Sequence, residues 1–231
     1  MSKPRIVTVD GTAGSGKSTL GRALAIELDL PIIDTGLFYR GIMVAAVRAG
    51  VSAADSATLA EVARSALICF STDPRSHADD VSVDGVPAAG MLRDPRHARL
   101  LAAISSTPAV RAAVLEPQRA RASGGAVAVG RDCGTVVFPE AAVKFYLEAP
   151  ESVRQRRRLA QLEAGGAVTD GSTLRAEVGD RDRADSDRAH SPLRRAADAH
   201  LIDTATMDVA AMIAHALDIC REAGLGPGPR S

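Results

Sequence analysis

Nine residues near the N-terminus combine the residue types and the spacing of a phosphate-binding loop. Residues 11–19 read GTAGSGKST, which fits the pattern G-x-x-x-x-G-K-[ST]. Glycines let the backbone curl so that successive N–H groups point at phosphate oxygens. In this pattern the lysine can reach the β and γ phosphates, and the hydroxyl after it can bind Mg²⁺. Without nucleotide we expect the lysine side chain to face solvent. The sequence therefore predicts a nucleoside triphosphate site, with Ser18 as the metal ligand and contacts from Gly11, Thr12, Ala13, Gly14, Ser15, Gly16, Lys17, Ser18 and Thr19.

The residues on either side of the loop supply the setting that the motif needs. An apolar run at residues 6–9 predicts a strand before the loop, and Leu20, Ala23, Leu24 and Leu28 form one face of a helix after it. The positive end of that helix would add to anion binding. A glycine-rich turn that matches by chance is the alternative, and the flanking strand and helix argue against it.

The rest of the chain alternates short apolar runs with amphipathic stretches, which is typical of an α/β fold with a parallel sheet. Further buried strands are predicted at residues 30–34, 126–129, 143–147 and 200–203, and helices at 37–49, 55–66, 94–106, 108–123, 151–163 and 207–223. Between them, residues 67–71 and 81–86 predict a small antiparallel insert whose hairpin turns at Asp84-Gly85. Pro117 removes a backbone donor, so a kink or an early helix end is expected at residues 113–116.

Polar side chains follow several of the predicted strands. Thr35, Tyr39 and Arg40 come after the second strand, and Arg131 and Asp132 come after the third. Loops that follow parallel strands open on the same edge of a sheet, so these groups should converge on the phosphate loop. Arg40 and Arg131 could be ordinary surface arginines, but beside a phosphate loop they are better explained as ligands of a second phosphate.

Composition limits the partners and the compartment. The basic and acidic residues balance at 28 each, which argues against a general nucleic-acid surface. The three cysteines (Cys69, Cys133 and Cys220) form no C-x-x-C pair, which argues against zinc and suits a reducing cytoplasm. The chain opens without a signal-peptide pattern, and its apolar stretches are too short to cross a bilayer. We therefore expect a cytoplasmic protein with no membrane partner.

The chain resembles the bacterial cytidylate kinases, of the nucleoside monophosphate kinase group of P-loop proteins. The resemblance extends over nearly the whole length. It rests on VDGTAGSGKST, DTGLFYR at residues 34–40, GRDCGTVVFPEA at 130–141, LEAPESVRQRRR at 147–158, DRDRADSDRAHSPL at 180–193 and LIDT at 201–204. The GRDCGTVVFPEA segment is far more specific to that family than the phosphate loop.

The resemblance implies a P-loop kinase fold in one nucleoside monophosphate kinase chain. Its core would comprise residues 1–66, 107–163 and 192–223 around a five-stranded parallel sheet flanked by helices. Residues 67–106 would form a monophosphate-binding insert and residues 164–191 a mobile lid over ATP. Residues 224–231, rich in glycine and proline, are expected to be a disordered tail.

The resemblance also implies the reaction and the site residues. ATP, with Mg²⁺, would donate its γ-phosphoryl group to CMP or dCMP, and we expect a monomer with these small-molecule substrates. Lys17, Arg131, Arg181 and Arg188 would be catalytic. The remaining roles are acceptor binding by Thr35, Tyr39, Arg40 and Arg131, cytosine contacts by Arg111 and Asp132, ribose contacts by Arg181 and Asp185, and lid or phosphate contacts by Arg154, Arg157, Arg158 and Arg188, with Arg157 assigned to ATP.

Three departures from the family pattern bear on selectivity, helix shape and lid charge. Ala102 stands where the family usually has a serine that touches the base, so we expect weaker discrimination against UMP unless Ser105 or Ser106 substitutes. Pro117 replaces a helix-compatible residue, and residues 184 and 186 lack lid arginines. The nearest alternative is another small P-loop kinase that acts on a different monophosphate such as UMP. A GTP-binding switch is disfavoured because no Asn/Thr-Lys-x-Asp element occurs.

Overall fold

A five-stranded parallel sheet forms the centre of the protein. The computed structural model describes residues 4–71, 73–75, 80–164, 186, 188 and 190–226. The strands of this sheet are β1 (Ile6–Gly11), β2 (Ile32–Asp34), β6 (Ala126–Val129), β7 (Val143–Glu148) and β8 (His200–Asp203). Their spatial order is β2-β6-β1-β7-β8, and each neighbouring pair is parallel. The predicted parallel α/β sheet is confirmed.

Seven α-helices are described in the part of the chain that the structure covers. They are α1 (Lys17–Glu27), α2 (Gly36–Arg48), α3 (Ser56–Ser65), α4 (Ala98–Ser106), α5 (Pro108–Ala120), α6 (Glu151–Ala164) and α7 (Val209–Glu222). Successive strand residues point to opposite faces, so the apolar strands bury both sides of the sheet. One core cluster joins strand residues such as Val7 to α1 and α7, and the other joins Ile6 to α2, α3 and α5.

The insert between α3 and α5 carries a second sheet. Its strands β3 (Ile68–Ser71), β4 (Asp80–Val83) and β5 (Val86–Pro87) pair antiparallel, as predicted. Asp84 and Gly85 both have positive φ angles, of 52° and 78°, which is the geometry of a tight hairpin turn. Arg48 of α2 donates to the carbonyls of Val83 and Pro87 at 3.0 Å each and fixes the insert to the core.

Helix α5 continues through Pro117 to Ala120, so the predicted early end was wrong. Pro117 is exposed and lies in the last turn, while Gln118 is buried against the core. The guanidinium of Arg119 donates to the carbonyls of Val136 at 3.1 Å and Val137 at 2.9 Å. Tertiary burial and these bonds hold the final turn and outweigh the local cost of the proline.

The last described residues pack against the protein, whereas the sequence predicted a disordered tail that begins at residue 224. Leu225 is buried in the core cluster of α1 and α7, and its N–H donates to the carbonyl of Cys220 at 2.8 Å. Arg5 donates to the carbonyl of Gly226 at 3.1 Å. Residues 227–231 and nearly all of the predicted lid at 164–191 lie outside the described residues.

Among the described helices, none is by itself long and apolar enough to cross a membrane. The segments Pro95–Ser106 and Pro108–Ala120 meet that criterion only as a pair, with a bend of 82° between them.

Candidate active site

The phosphate loop between β1 and α1 has the curled backbone that the motif predicts. Gly11, Gly14 and Gly16 have φ angles of 145°, 75° and 95°, a region that favours glycine. A Cβ on Gly11 would lie 2.0 Å from the carbonyl oxygen of Leu147, and one on Gly14 would lie 3.1 Å from that of Arg154. The loop is therefore held closely against β7 and α6. Gly11 has no room for a side chain, and a side chain at Gly14 would require the backbone of α6 to shift slightly.

Lys17 is buried within this loop, which differs from the expectation of a solvent-facing side chain. Only 8% of the residue is exposed, and its ammonium group donates a hydrogen bond to the carbonyl of Thr12. The hydroxyl of Ser15 donates to the same carbonyl at 2.9 Å. Ser18 and Thr19, in the first turn of α1, are exposed. The loop thus combines one cation, four hydroxyls and a helix N-terminus, which fits a phosphate chain and its Mg²⁺.

Two arginines of α6 have partners in the protein that the resemblance did not indicate. Arg154 is buried and donates to the carbonyls of Ala13 and Ala149 at 3.0 Å each, so it supports the phosphate loop from behind. Arg157 donates to the hydroxyl and the carbonyl of Thr204 at 2.9 and 2.6 Å. Its proposed contact with ATP remains a prediction. The side chain of Arg158 lies outside the described part of the structure.

The predicted acceptor residues follow β2 and β6, which are neighbours in the sheet. The hydroxyl of Thr35 donates to the carbonyl of Val129 at 3.0 Å, and a Cβ on Gly130 would lie 2.4 Å from that hydroxyl. Arg40 donates to the carbonyl of Leu92 in the insert. Arg131 donates weakly to the carbonyl of Gly130, at 3.4 Å. Because β6 lies between β2 and β1, these groups border the edge that carries the phosphate loop.

Arg111 and Asp132 form a buried ion pair. The guanidinium of Arg111 donates to the Asp132 carboxylate and, at 3.1 Å, to the carbonyl of Ser105. It also lies 5.3 Å from the centre of the Tyr39 ring. Burial raises the pKa of Tyr39 from 10 to about 12. The pair therefore holds guanidinium donors and one carboxylate acceptor in a fixed arrangement that is shielded from solvent.

A cavity of about 210 Å³ opens beside this pair. Its lining combines the ion pair with apolar side chains of α5 and of the segment after β6. The lining residues are Tyr39, Pro108, Arg111, Ala112, Leu115, Gln118, Asp132, Val136, Val137, His190 and Ser191. Ala102 is exposed and does not line this cavity. Gln118, which sequence reasoning missed, is 1% exposed, and its amide nitrogen has no hydrogen-bond partner among the described residues.

Asp10, at the end of β1, was also missed and fixes the segment that carries Asp132. Its carboxylate accepts hydrogen bonds from the N–H groups of Cys133 at 2.9 Å and Gly134 at 2.7 Å. These two residues begin a π-helical turn, Cys133–Val137. A carboxylate inside an otherwise apolar strand is the signal in the sequence that could have identified this role. Burial raises the pKa of Asp10 from 3.8 to about 6, against the lowering by the two N–H groups.

We expect Asp10 to make the protein less stable as pH rises from about 4 to about 6. The folded state holds the Asp10 proton more tightly than the unfolded chain, so ionisation costs folding free energy across this window, up to about 3 kcal/mol. Asp10→Asn has no carboxyl group to ionise at this position, so this loss of folding free energy is absent. The unfolding free energy of the variant, relative to the parent, should therefore increase over the window. Denaturant unfolding at a series of pH values measures that difference, and a difference that is constant with pH would contradict the assignment.

The proposed lid residues are only partly visible. Arg188 is half-buried, and its guanidinium donates to the hydroxyl of Ser105 at 3.1 Å. Arg181 and Asp185, which the resemblance assigns to the ribose, lie outside the described residues. Across the described chain, no group of three or more His, Cys, Asp or Glu side chains is placed to hold a metal ion.

Comparisons with known proteins agree with this geometry. The family model described as "Cytidylate kinase" matches residues 7–222. A cytidylate kinase of Pelotomaculum thermopropionicum is 41% identical over 204 residues, which are 88% of this chain and 90% of that protein. Cytidylate kinases of Syntrophotalea carbinolica and Mycobacterium leprae are each 40% identical; the matches cover 96% and 94% of this chain, and 94% and 96% of those proteins.

Proposed function

Because the chain belongs to the cytidylate kinase family, we propose that it transfers the γ-phosphoryl group of ATP to CMP and dCMP. The products are ADP with CDP or dCDP, which places the enzyme in pyrimidine nucleotide metabolism. The observation that supports this acceptor best is the buried pair of Arg111 and Asp132 beside a cavity. No observation on this chain favours UMP as the acceptor.

The Arg111–Asp132 pair suits the edge of a cytosine. Cytosine offers an amino group as donor next to ring acceptors, whereas uracil carries a carbonyl in place of the amino group. In the proposed complex the Asp132 carboxylate accepts from the amino group and Arg111 donates to the ring acceptors. A uracil carbonyl would face the carboxylate, so two acceptors would oppose each other. Tyr39 would pack beside the base, since its ring already lies against Arg111.

The phosphate loop would hold ATP. Its backbone N–H groups would surround the β and γ phosphates, and the Lys17 ammonium would exchange its bond to the Thr12 carbonyl for phosphate oxygens. Ser18 would ligate Mg²⁺, which supplies further charge neutralisation when bound. The fit is supported by the left-handed glycines of the loop and by the exposed hydroxyl at the helix N-terminus.

The remaining arginines would position and neutralise the acceptor phosphate. Thr35 and Arg40, which follow β2, and Arg131, which follows β6, would bind it. Arg188 would reach the group in transfer. Phosphoryl transfer depends on positioning and charge stabilisation more than on covalent help from the protein. The roles of Arg181 and Asp185 at the ribose remain proposals. We also propose a cytoplasmic monomer with no nucleic-acid or membrane partner.

A coupled assay for ADP formation tests the acceptor. The enzyme is supplied with ATP, Mg²⁺ and one monophosphate at a time, from a panel of CMP, dCMP, UMP, AMP and GMP. CMP and dCMP should give the highest kcat/KM. A higher kcat/KM for UMP would favour the alternative, a small P-loop kinase that acts on UMP.

Ala102→Ser should raise the ratio of kcat/KM for CMP over UMP by about two- to tenfold, the value of one neutral hydrogen bond. The reason is that the parent residue has only a methyl group where the family usually has a hydroxyl. The same assay with both acceptors measures the ratio. An unchanged ratio would show that Ala102, which is exposed in the structure, stays away from the bound base.

A further inference from the structure

The hydroxyl of Ser105, in the last turn of α4, accepts a hydrogen bond from the guanidinium of Arg188. We infer that Ser105 is a positioning residue: it holds the guanidinium of Arg188 in place for phosphoryl transfer and takes no part in reading the base. This inference rests on the proposed function, since it gives Arg188 a role in the transfer of the phosphoryl group.

The hydrogen-bond directions at Ser105 fit this role. Its hydroxyl donates to the carbonyl of Ala102 at 3.2 Å, so its proton is already engaged. The oxygen then presents lone pairs, and the guanidinium of Arg188, which can only donate, contacts it at 3.1 Å. With its proton on the Ala102 carbonyl, the hydroxyl offers no donor to a base in this arrangement.

Ser105 also accepts a hydrogen bond from Arg111, the arginine that pairs with Asp132. The main-chain carbonyl of Ser105 accepts from Arg111 at 3.1 Å, while its side chain accepts from Arg188. One residue thus contacts both the arginine of the proposed base-reading pair and the arginine proposed for transfer. The charge of Arg188 also partly opposes the rise that burial causes in the pKa of Tyr39, which places Arg188 close to the pocket.

Ser106 provides a matched control for the alternative that the Ser105 hydroxyl only stabilises the end of α4. Its side chain donates to the carbonyl of Ala103 at 3.0 Å, the same three-residue step that Ser105 makes to Ala102. Both hydroxyls therefore satisfy a carbonyl near the end of α4. Ser106 is exposed, and no bond between Ser106 and Arg188 is described. Loss of the Ser106 hydroxyl reports the effect on the helix alone.

The test measures kcat and KM for CMP and for UMP at saturating ATP in four proteins: the parent, Ser105→Ala, Ser105→Thr and Ser106→Ala. Ser105→Ala should lower kcat by about three- to tenfold with both acceptors. The reason is that a misplaced Arg188 guanidinium stabilises the transition state less, whereas binding of the acceptor is unchanged. KM and the CMP-over-UMP ratio should stay within about twofold. Ser105→Thr keeps a hydroxyl and should recover most of kcat, and Ser106→Ala should match the parent.

A second measurement checks that Ser105 acts through Arg188. In an Arg188→Ala background, Ser105→Ala should have no further effect on kcat, since the partner is already gone. An equal loss in both backgrounds would overturn the inference. So would a loss in Ser106→Ala equal to that in Ser105→Ala, or a fall confined to CMP, which would make Ser105 a base contact. The rate of the parent with CMP reports the proposed function separately, because the comparison between variants can be made with any monophosphate that the parent accepts.

Discussion

Lys17→Met should reduce phosphoryl transfer by at least about a hundredfold, the loss typical of removing a preorganised group that stabilises transition-state charge. Lys17 is the cation within the phosphate loop, and its ammonium already lies at the Thr12 carbonyl, inside the loop that would receive the phosphates. Steady-state rates with ATP and CMP measure the effect. The fold should survive, with a thermal midpoint within about 4 °C of the parent, because the Thr12 carbonyl keeps its bond from Ser15.

Ser15→Ala distinguishes the effect of the Lys17 charge from the effect of losing a hydrogen bond to the Thr12 carbonyl. It removes the other side-chain donor to the Thr12 carbonyl and leaves the positive charge in place. We expect a loss below about tenfold, the scale of one neutral hydrogen bond. A Lys17→Met enzyme that retains activity within tenfold of the parent, at an unchanged thermal midpoint, would contradict the role given to the lysine.

Asp132→Asn should lower kcat/KM for CMP by at least about tenfold and shrink the CMP-over-UMP ratio, because the charge-assisted acceptor becomes a neutral amide. Asp132→Ala should have a larger effect on the fold. It leaves the Arg111 guanidinium, only 8% exposed, without its carboxylate. We expect a loss of about 3 kcal/mol in the free energy of unfolding, at the lower end for a broken buried pair because the cavity admits water.

Asp218→Asn is the matched control for this prediction. Asp218 pairs with Arg221 on the surface of α7, where both side chains are at least 60% exposed. Surface pairs of this kind contribute little to stability. The control should therefore leave both kcat/KM and the free energy of unfolding near the parent values. If Asp132→Asn keeps the CMP-over-UMP ratio of the parent, the carboxylate does not read the base.

The sequence was sufficient where local pattern and tertiary structure agree. The phosphate loop was predicted from Gly11, Gly16, Lys17 and Ser18 because strand, turn and helix signals coincide within one short segment. The antiparallel insert was predicted from the Asp84-Gly85 turn, whose positive φ angles the structure shows. Parallel strands of almost purely apolar residues predicted a sheet that is covered on both faces.

The sequence was insufficient where a long-range contact decides the outcome. The end of α5 depends on Arg119 and on carbonyls about seventeen residues later, which local propensity at Pro117 cannot reveal. Lys17 was expected in solvent because its partner, the Thr12 carbonyl, is a main-chain group of the curled loop. Asp10 contacts N–H groups more than 120 residues away, so its role required the fold. Leu225 likewise has a place in the core that its glycine-rich surroundings conceal.

Competition between acceptors in one reaction tests whether the pocket beside Arg111 and Asp132 selects a cytosine monophosphate. CMP, dCMP, UMP, AMP and GMP are mixed at equal, subsaturating concentrations with ATP labelled in the γ-phosphoryl group and Mg²⁺. Under these conditions the labelled diphosphates accumulate in proportion to kcat/KM for each acceptor. CDP and dCDP should carry most of the label. A reaction in which labelled UDP or a purine diphosphate predominates would contradict this selectivity.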